Sequence, residues 1–223
     1  MMNKEFAEVA VVLAVQMMAI GWLVWRYERI VSSGVEIRLK CRAYDPYDPL
    51  RGRYLRTSVS EDCTNILFTV NADSPWQRET RGIFAKLAKA PGSNDLYRVV
   101  TVAREPVDDG LWIKPKSVIF DHTLGHDAKR KGESYEEFDK RRKASPRKAT
   151  VEFPDRLFMN EKLAPAAEKI LAKKTDSAVA VFRALDREIV ITDIEIDGKP
   201  ILSAVREQME KHLQPTQGTG MKP

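Results

Sequence analysis

The sequence predicts a mainly β, α+β protein: one amino-terminal membrane helix, then a single antiparallel β-rich domain with one or two short helices. Three observations predict it. Phe6–Trp25 reads FAEVAVVLAVQMMAIGWLVW, broken only by Glu8 and Gln16. Behind it, apolar residues recur at every second position in several separate segments, which is the period of half-buried strands. Helical spacing shows at only two later places. The 223 residues suit one ordinary domain besides the anchor. A hydrophobic fraction of 43% excludes a wholly disordered chain, and eleven Gly with twelve Pro exclude collagen-like material. A mean hydropathy of −0.39 excludes a polytopic membrane protein.

As a helix, residues 6–26 would span roughly 30 Å, the thickness of a bilayer's hydrocarbon. Residues 1–5 form the flank before it. Trp22, Trp25 and Tyr27 lie where an interfacial aromatic belt is expected. A buried soluble helix and a cleaved signal peptide are the rivals. The run is longer than a signal peptide's apolar region, and bulky Trp22-Leu23-Val24-Trp25 stands where small residues are wanted. An uncleaved anchor is the better reading. Counting Lys4 against Arg26 and Arg29 would put the long C-terminal part in the cytoplasm, on a signal only one or two residues wide.

The β-rich domain is expected over 30–203. Val35–Ala43 alternates, with Val35, Ile37, Leu39, Cys41 and Ala43 on one face and Glu36, Arg38, Lys40 and Arg42 on the other. Asp45-Pro46-Tyr47-Asp48-Pro49 then turns the chain, because Pro cannot continue a ladder. Arg53–Val59 reads as the second strand. Further strands are expected at Asn65–Val70, Asp95–Glu105, Leu111–Ile119, Ala149–Met159, Ser177–Leu185 and Glu188–Ile196. Asp109-Gly110 and Asp197-Gly198 mark tight turns, the first as in a hairpin. Trp76–Ala90 reads as a short helix, with Ile83, Phe84, Leu87 and Ala88 on one face. A second helix opens near Ala164-Pro165, turns Ala167, Ile170 and Leu171 inward, and stops near Lys173-Lys174. Residues 204–223 are expected to be a tail, frayed after His212.

The net charge is local. Between residues 128 and 148 nine basic and four acidic residues account for the whole +5, so the rest of the chain is balanced. This segment reads as an insertion, with a helical turn over Ser134–Phe138.

The run Asp45-Pro46-Tyr47-Asp48-Pro49-Leu50-Arg51-Gly52-Arg53-Tyr54-Leu55-Arg56-Thr57-Ser58-Val59 resembles the signature of the bacterial GDYXXLXY family, D-P-x-D-x-x-x-G-D-Y-x-x-L-x-Y. The matching positions are Asp45, Pro46, Asp48, Gly52 and Tyr54. An anchor and a Gly34-Val35-Glu36 strand before the motif, and an Asp197-Gly198-Lys199-Pro200 turn near the end, extend the likeness over most of 6–203. Arg53, Thr57 and Val59 depart from the family's Asp, Leu and Tyr. The resemblance implies topology and fold, not an activity. It also implies an inward amino terminus, which would set the soluble domain on the extracytoplasmic side of a bacterial inner membrane.

The candidate functional surface is the loop of Asp45, Pro46, Asp48, Gly52, Arg53 and Tyr54, since ordered loops on rigid strands commonly carry binding. Asp45 and Asp48 lack the further acids of a calcium loop, so turn chemistry is the plainer reading. His122 and His126 stand four apart, but Gly125 lies between them and no helical pattern surrounds them, so no metal site is expected. Cys41 and Cys63 are the only cysteines and are expected as two reduced thiols, with a disulfide as the alternative. If Asp45–Gly52 is a hairpin loop, position 41 pairs with about 56 and Cys63 is out of register. Lys129, Arg130, Lys131, Lys140, Arg141, Arg142 and Lys143 read either as a solvated insertion or as a contact with anionic headgroups. Nucleic acid is not expected, because no aromatic platform interleaves these charges. No G-x-S-x-G, no convincing Ser-Lys pairing and no glycine-rich phosphate loop is present, and no cofactor is expected. The expectation is a membrane-anchored binding or scaffold subunit with an integral-membrane protein partner; the alternative is a membrane-tethered hydrolase.

Overall fold

The apolar run continues as one helix, α1 (Lys4–Ser33), in a computed structural model that describes residues 4–43, 54–67, 76–93, 95–121, 132–138 and 148–213. From Glu8 to Ser33 it is long and apolar enough to cross a membrane, and none of its most apolar stretch is covered by the rest of the chain. Met18 is 72% exposed and Trp25 57%. Helix α1 does not stop at the expected boundary near 26. It runs on until Gly34, whose N–H donates to the Ile30 carbonyl at 2.9 Å.

The strands that follow are β1 (Val35–Lys40), β2 (Arg42–Ala43), β3 (Tyr54–Ser58), β4 (Ser60–Cys63), β5 (Trp76–Glu79), β6 (Phe84–Lys89) and β7 (Tyr97–Ala103). Next come β8 (Leu111–Ile113), β9 (Ser117–Asp121), a helical turn α2 over 135–138, β10 (Lys148–Glu152) and β11 (Arg156–Phe158). The chain closes with α3 (Ala164–Lys173), β12 (Ala178–Leu185), β13 (Glu188–Ile196), β14 (Lys199–Pro200) and α4 (Ile201–Leu213).

Among the described residues these strands form antiparallel ladders in the orders β1-β12-β13-β14, β4-β10-β9-β5, β11-β3-β2 and β7-β6-β8. Isolated parallel bridges, Arg38 to Leu96 and Ile66 to Val102, tie ladders together. β1 behaves as its alternation requires: Ile37 and Leu39 are buried, opposite Phe182 and Ala180 of β12. The β12–β13 connection is Asp186-Arg187, with φ of 51° and 70°. Positive φ at both central residues is what a two-residue hairpin turn needs to match strand twist. Asp197 and Gly198, at 52° and 76°, repeat the device before β14. One apolar cluster draws on all four ladders and includes Leu55, Phe120, Leu171 and Ile194. At its centre Phe153 and Phe182 lie 6.0 Å apart between ring centroids.

Helix α3 starts with Pro in its first turn and buries Ala164, Ala167 and Leu171, while Ile170 packs at the margin. The turn at 135–138 is held by a reciprocal cap: the Glu137 N–H donates to Ser134 Oγ at 3.1 Å and the Ser134 N–H to Glu137 Oε2 at 2.9 Å.

Several expectations are corrected. Trp76–Ala90 is not a helix but β5 and β6, separated at Gly82, whose φ is +66°. Ala85 and Leu87 are the buried residues of β6, two apart, so the period is 2. Asp109-Gly110 does not join paired strands, because β6 lies between β7 and β8. That turn is built instead on Asp108, which accepts from the Gly110 N–H at 3.0 Å and from Trp112 Nε1 at 2.9 Å. Bonds from Lys86, then Trp112 and Gly110, hold the Asp108 carboxyl down at about 2. The strands expected at 111–119 and 149–159 are each split, at Pro115 and Pro154, where no ladder N–H exists. The tail expected from 204 begins as α4, which buries Ile201 and Val205. Arg42 pairs with Ser58, so the β2–β3 register sits about three positions from the one expected.

Candidate functional site

The structure places the motif strand in the middle of a ladder. β3 runs between β11 and β2, with Tyr54 opposite Phe158 and Leu55 opposite Leu157. Leu55 and Thr57 are buried, and Arg56 and Ser58 face the other way, as strand alternation dictates. Asp45, Pro46, Asp48, Gly52 and Arg53 lie outside the described residues. So do Lys129, Arg130, Lys131, Lys140, Arg141, Arg142 and Lys143, together with His122 and His126.

Beside β3 lies an open groove of about 460 Å³, lined by Arg56, Thr57, Ser58, Arg78, Lys116, Ser117, Thr150, Glu152 and Asp155 among others. Two carboxylates organise it. Glu152, at the end of β10, accepts from Arg78 of β5 at 2.5 Å and from the Ser117 hydroxyl at the start of β9. Asp155, in the link from β10 to β11, accepts from Arg56 Nε at 3.0 Å and Lys116 Nζ at 2.8 Å. Burial pushes the Asp155 carboxyl up, but the hydrogen bonds and positive charge of Lys116 and Arg56 outweigh it and hold the group below the usual carboxylate range. The backbone fixes the same corner. The Thr57 N–H donates to the Asp155 carbonyl at 2.9 Å and the Lys116 N–H to the Glu152 carbonyl at 2.9 Å.

One group in this corner is unsatisfied. Thr57 is 1% exposed, and its hydroxyl is buried with no hydrogen-bond partner. Leaving a buried hydroxyl unpaired costs roughly 1–3 kcal/mol, so such a group calls for an explanation.

Cys41 and Cys63 are both free and buried. Burial pushes the Cys41 thiol up to about 12 and raises Cys63 as well. Among the described residues no cluster of three or more His, Cys, Asp or Glu is placed to hold a metal ion.

The residues that build the groove were not singled out from the sequence. Arg78, Lys116, Ser117, Glu152 and Asp155 come from three separated segments, and none stands in a spacing motif. The one pointer is Pro154-Asp155, which breaks an apolar run beside the strand that pairs with the motif.

Fold and groove together define a class: a β-rich domain carried behind one membrane-length helix, with a polar groove beside its motif strand. The chain belongs to the GDYXXLXY family, whose description as GDYXXLXY protein matches over residues 16–205. No curated protein and no solved structure matches it.

Proposed function

We propose that the protein is a single-pass membrane-anchored binding module, a scaffold or accessory subunit of a bacterial inner-membrane complex. Helix α1 is the anchor, the β-rich domain of residues 30–203 stands on the extracytoplasmic side, and an integral-membrane protein is the partner. The groove beside β3 is the surface that meets it. The observation that carries this reading is a groove whose polar side chains, Arg56, Arg78, Lys116, Glu152 and Asp155, are prearranged by ion pairs. Such prearranged groups meet a partner's donors and acceptors with little loss of side-chain freedom.

The hydrolase reading has one specific observation in its favour, the Ser117 hydroxyl hydrogen-bonded to Glu152. It is second because Ser117 is only 3% exposed and Glu152 is already shared with Arg78.

The test is purification of tagged full-length chain from its own membranes in mild detergent. An integral-membrane partner in stoichiometric amount, lost with Arg78→Glu and kept with Asp176→Lys, is the expected result. Recovery of wild-type chain alone overturns the reading.

A further inference from the structure

The last turns of α1 are docked on one particular hairpin. Arg26 pairs with Glu188 at 3.1 Å and Arg29 with Asp186 at 3.2 Å, so the β12–β13 turn is held against the helix. Leu185, Asp186 and Glu188 share a small cleft with Trp22, Trp25 and Ile30 of the helix. Arg26 and Arg29 lie over the rings of Trp22 and Trp25, at 5.5 and 5.8 Å from their centroids. Gly34 tightens the junction, since a Cβ there would overlap the Ile30 carbonyl and sit 3.0 Å from the Ala184 carbonyl. The helix therefore rises beyond its tryptophans by about 12 Å, and the hairpin comes back down beside it to their level.

That level is the headgroup layer if α1 spans the bilayer, because Trp and Arg at the end of an apolar helix sit there. What surrounds the turn then faces lipid. Lys114 is exposed, and its N–H donates to the Arg187 carbonyl at 2.7 Å, which sets the β8–β9 corner next to the turn. From Glu188 a second cleft of about 590 Å³ opens between Pro115, Pro154, Ile189 and Phe158. Phe158 is 77% exposed at its rim, and Arg156 also lines it. Asp186 and Glu188 are each matched by an arginine of α1, so Lys114 and Arg187 leave the face positive.

We propose that this face, built from the β12–β13 turn, Lys114, Arg156 and Phe158, is a docking surface for anionic lipid headgroups that holds the domain in one orientation on the bilayer. The proposal rests on the reading of α1 as a membrane span. Charge complementarity and continuity with that span select lipid as the occupant. Cations close to such a surface are attracted by its negative potential, and an aromatic ring is stable at the interface.

The experiment uses the full chain in phosphatidylcholine discs, with and without phosphatidylglycerol, and a quencher attached to the lipid headgroup. Fluorophores are attached through Lys114→Cys, Phe158→Cys and Asp176→Cys, the last beyond the opposite end of β12; the native thiols are buried. Quenching several-fold stronger at 114 and 158 than at 176, increased by phosphatidylglycerol and reduced by Arg187→Gln, is the expected result. Equal quenching at all three sites, or none that responds to anionic lipid, overturns the docking surface while leaving the anchor intact. A chain that fails to enter discs at all overturns the anchor reading and this proposal with it.

Discussion

Arg56 on β3 donates to Asp155 at 3.0 Å, and through that bond the motif strand is held to the link between β10 and β11. The same carboxylate takes Lys116 from the far side of the groove, so one side chain sets the groove's width.

Asp155→Asn is expected to loosen this corner by about 1 kcal/mol, a modest amount because water reaches Lys116 and screens the pair. The carboxyl is depressed in the folded chain, so its contribution is full above the ordinary aspartate value of about 4 and is lost as pH falls through the lower folded value. Urea midpoints of the detergent-solubilised chain between neutral and acid pH check this. Asp155→Asn flattens the acid limb, and an unchanged limb contradicts the assignment.

Thr57→Val removes the unpaired hydroxyl at nearly constant shape and keeps the backbone bond to Asp155. Thermal unfolding of the isolated protein is expected to shift upward, by the equivalent of about 1 kcal/mol. An unchanged or lowered midpoint would contradict the reading of that hydroxyl as unsatisfied.

Ile83, Phe84, Leu87 and Ala88 show why part of the fold was not legible. They fit a helical face as well as they fit β6, and over so short a run nothing local arbitrates. Helix α4 hid differently, because ILSAVREQMEKHL mixes its apolar residues with charged ones and, among its described side chains, buries Ile201 and Val205 alone. α1, β1, β12, β13 and α3 were legible because one strong period or an opening Pro identifies each. The groove was not, since Arg78, Lys116, Glu152 and Asp155 meet only through non-local pairing of β5, β9 and β10.

Gly34→Ala places a methyl group against the carbonyls of Ile30 and Ala184. Backbone cannot yield there as a flexible side chain would, and a cost of roughly 1–3 kcal/mol is expected. Limited proteolysis between α1 and β1 should accelerate, with Gly21→Ala as the silent control, because nothing lies within 4 Å of a Cβ at Gly21.

Cys41 and Cys63 are expected to resist maleimide at pH 8 in the folded chain, the first with its thiol pushed up to about 12. Both should react on unfolding in urea, giving a two-step mass increase. Rapid labelling of either in native protein would show that the strand carrying it opens locally.

The pairing of β1 with β12 has a consequence for synthesis. Val35–Lys40 emerges directly after α1, yet its ladder partner Ala178–Leu185 is made more than a hundred residues later. At usual rates of elongation the interval is on the order of ten seconds. Throughout it, Ile37 and Leu39 have no sheet to cover them. Glu36, Arg38 and Lys40 on the opposite face keep the nascent strand from stacking on copies of itself. The hairpin that finally covers β1 is the one that grips α1, so burial of the first strand and fixing of the domain to α1 are a single late event.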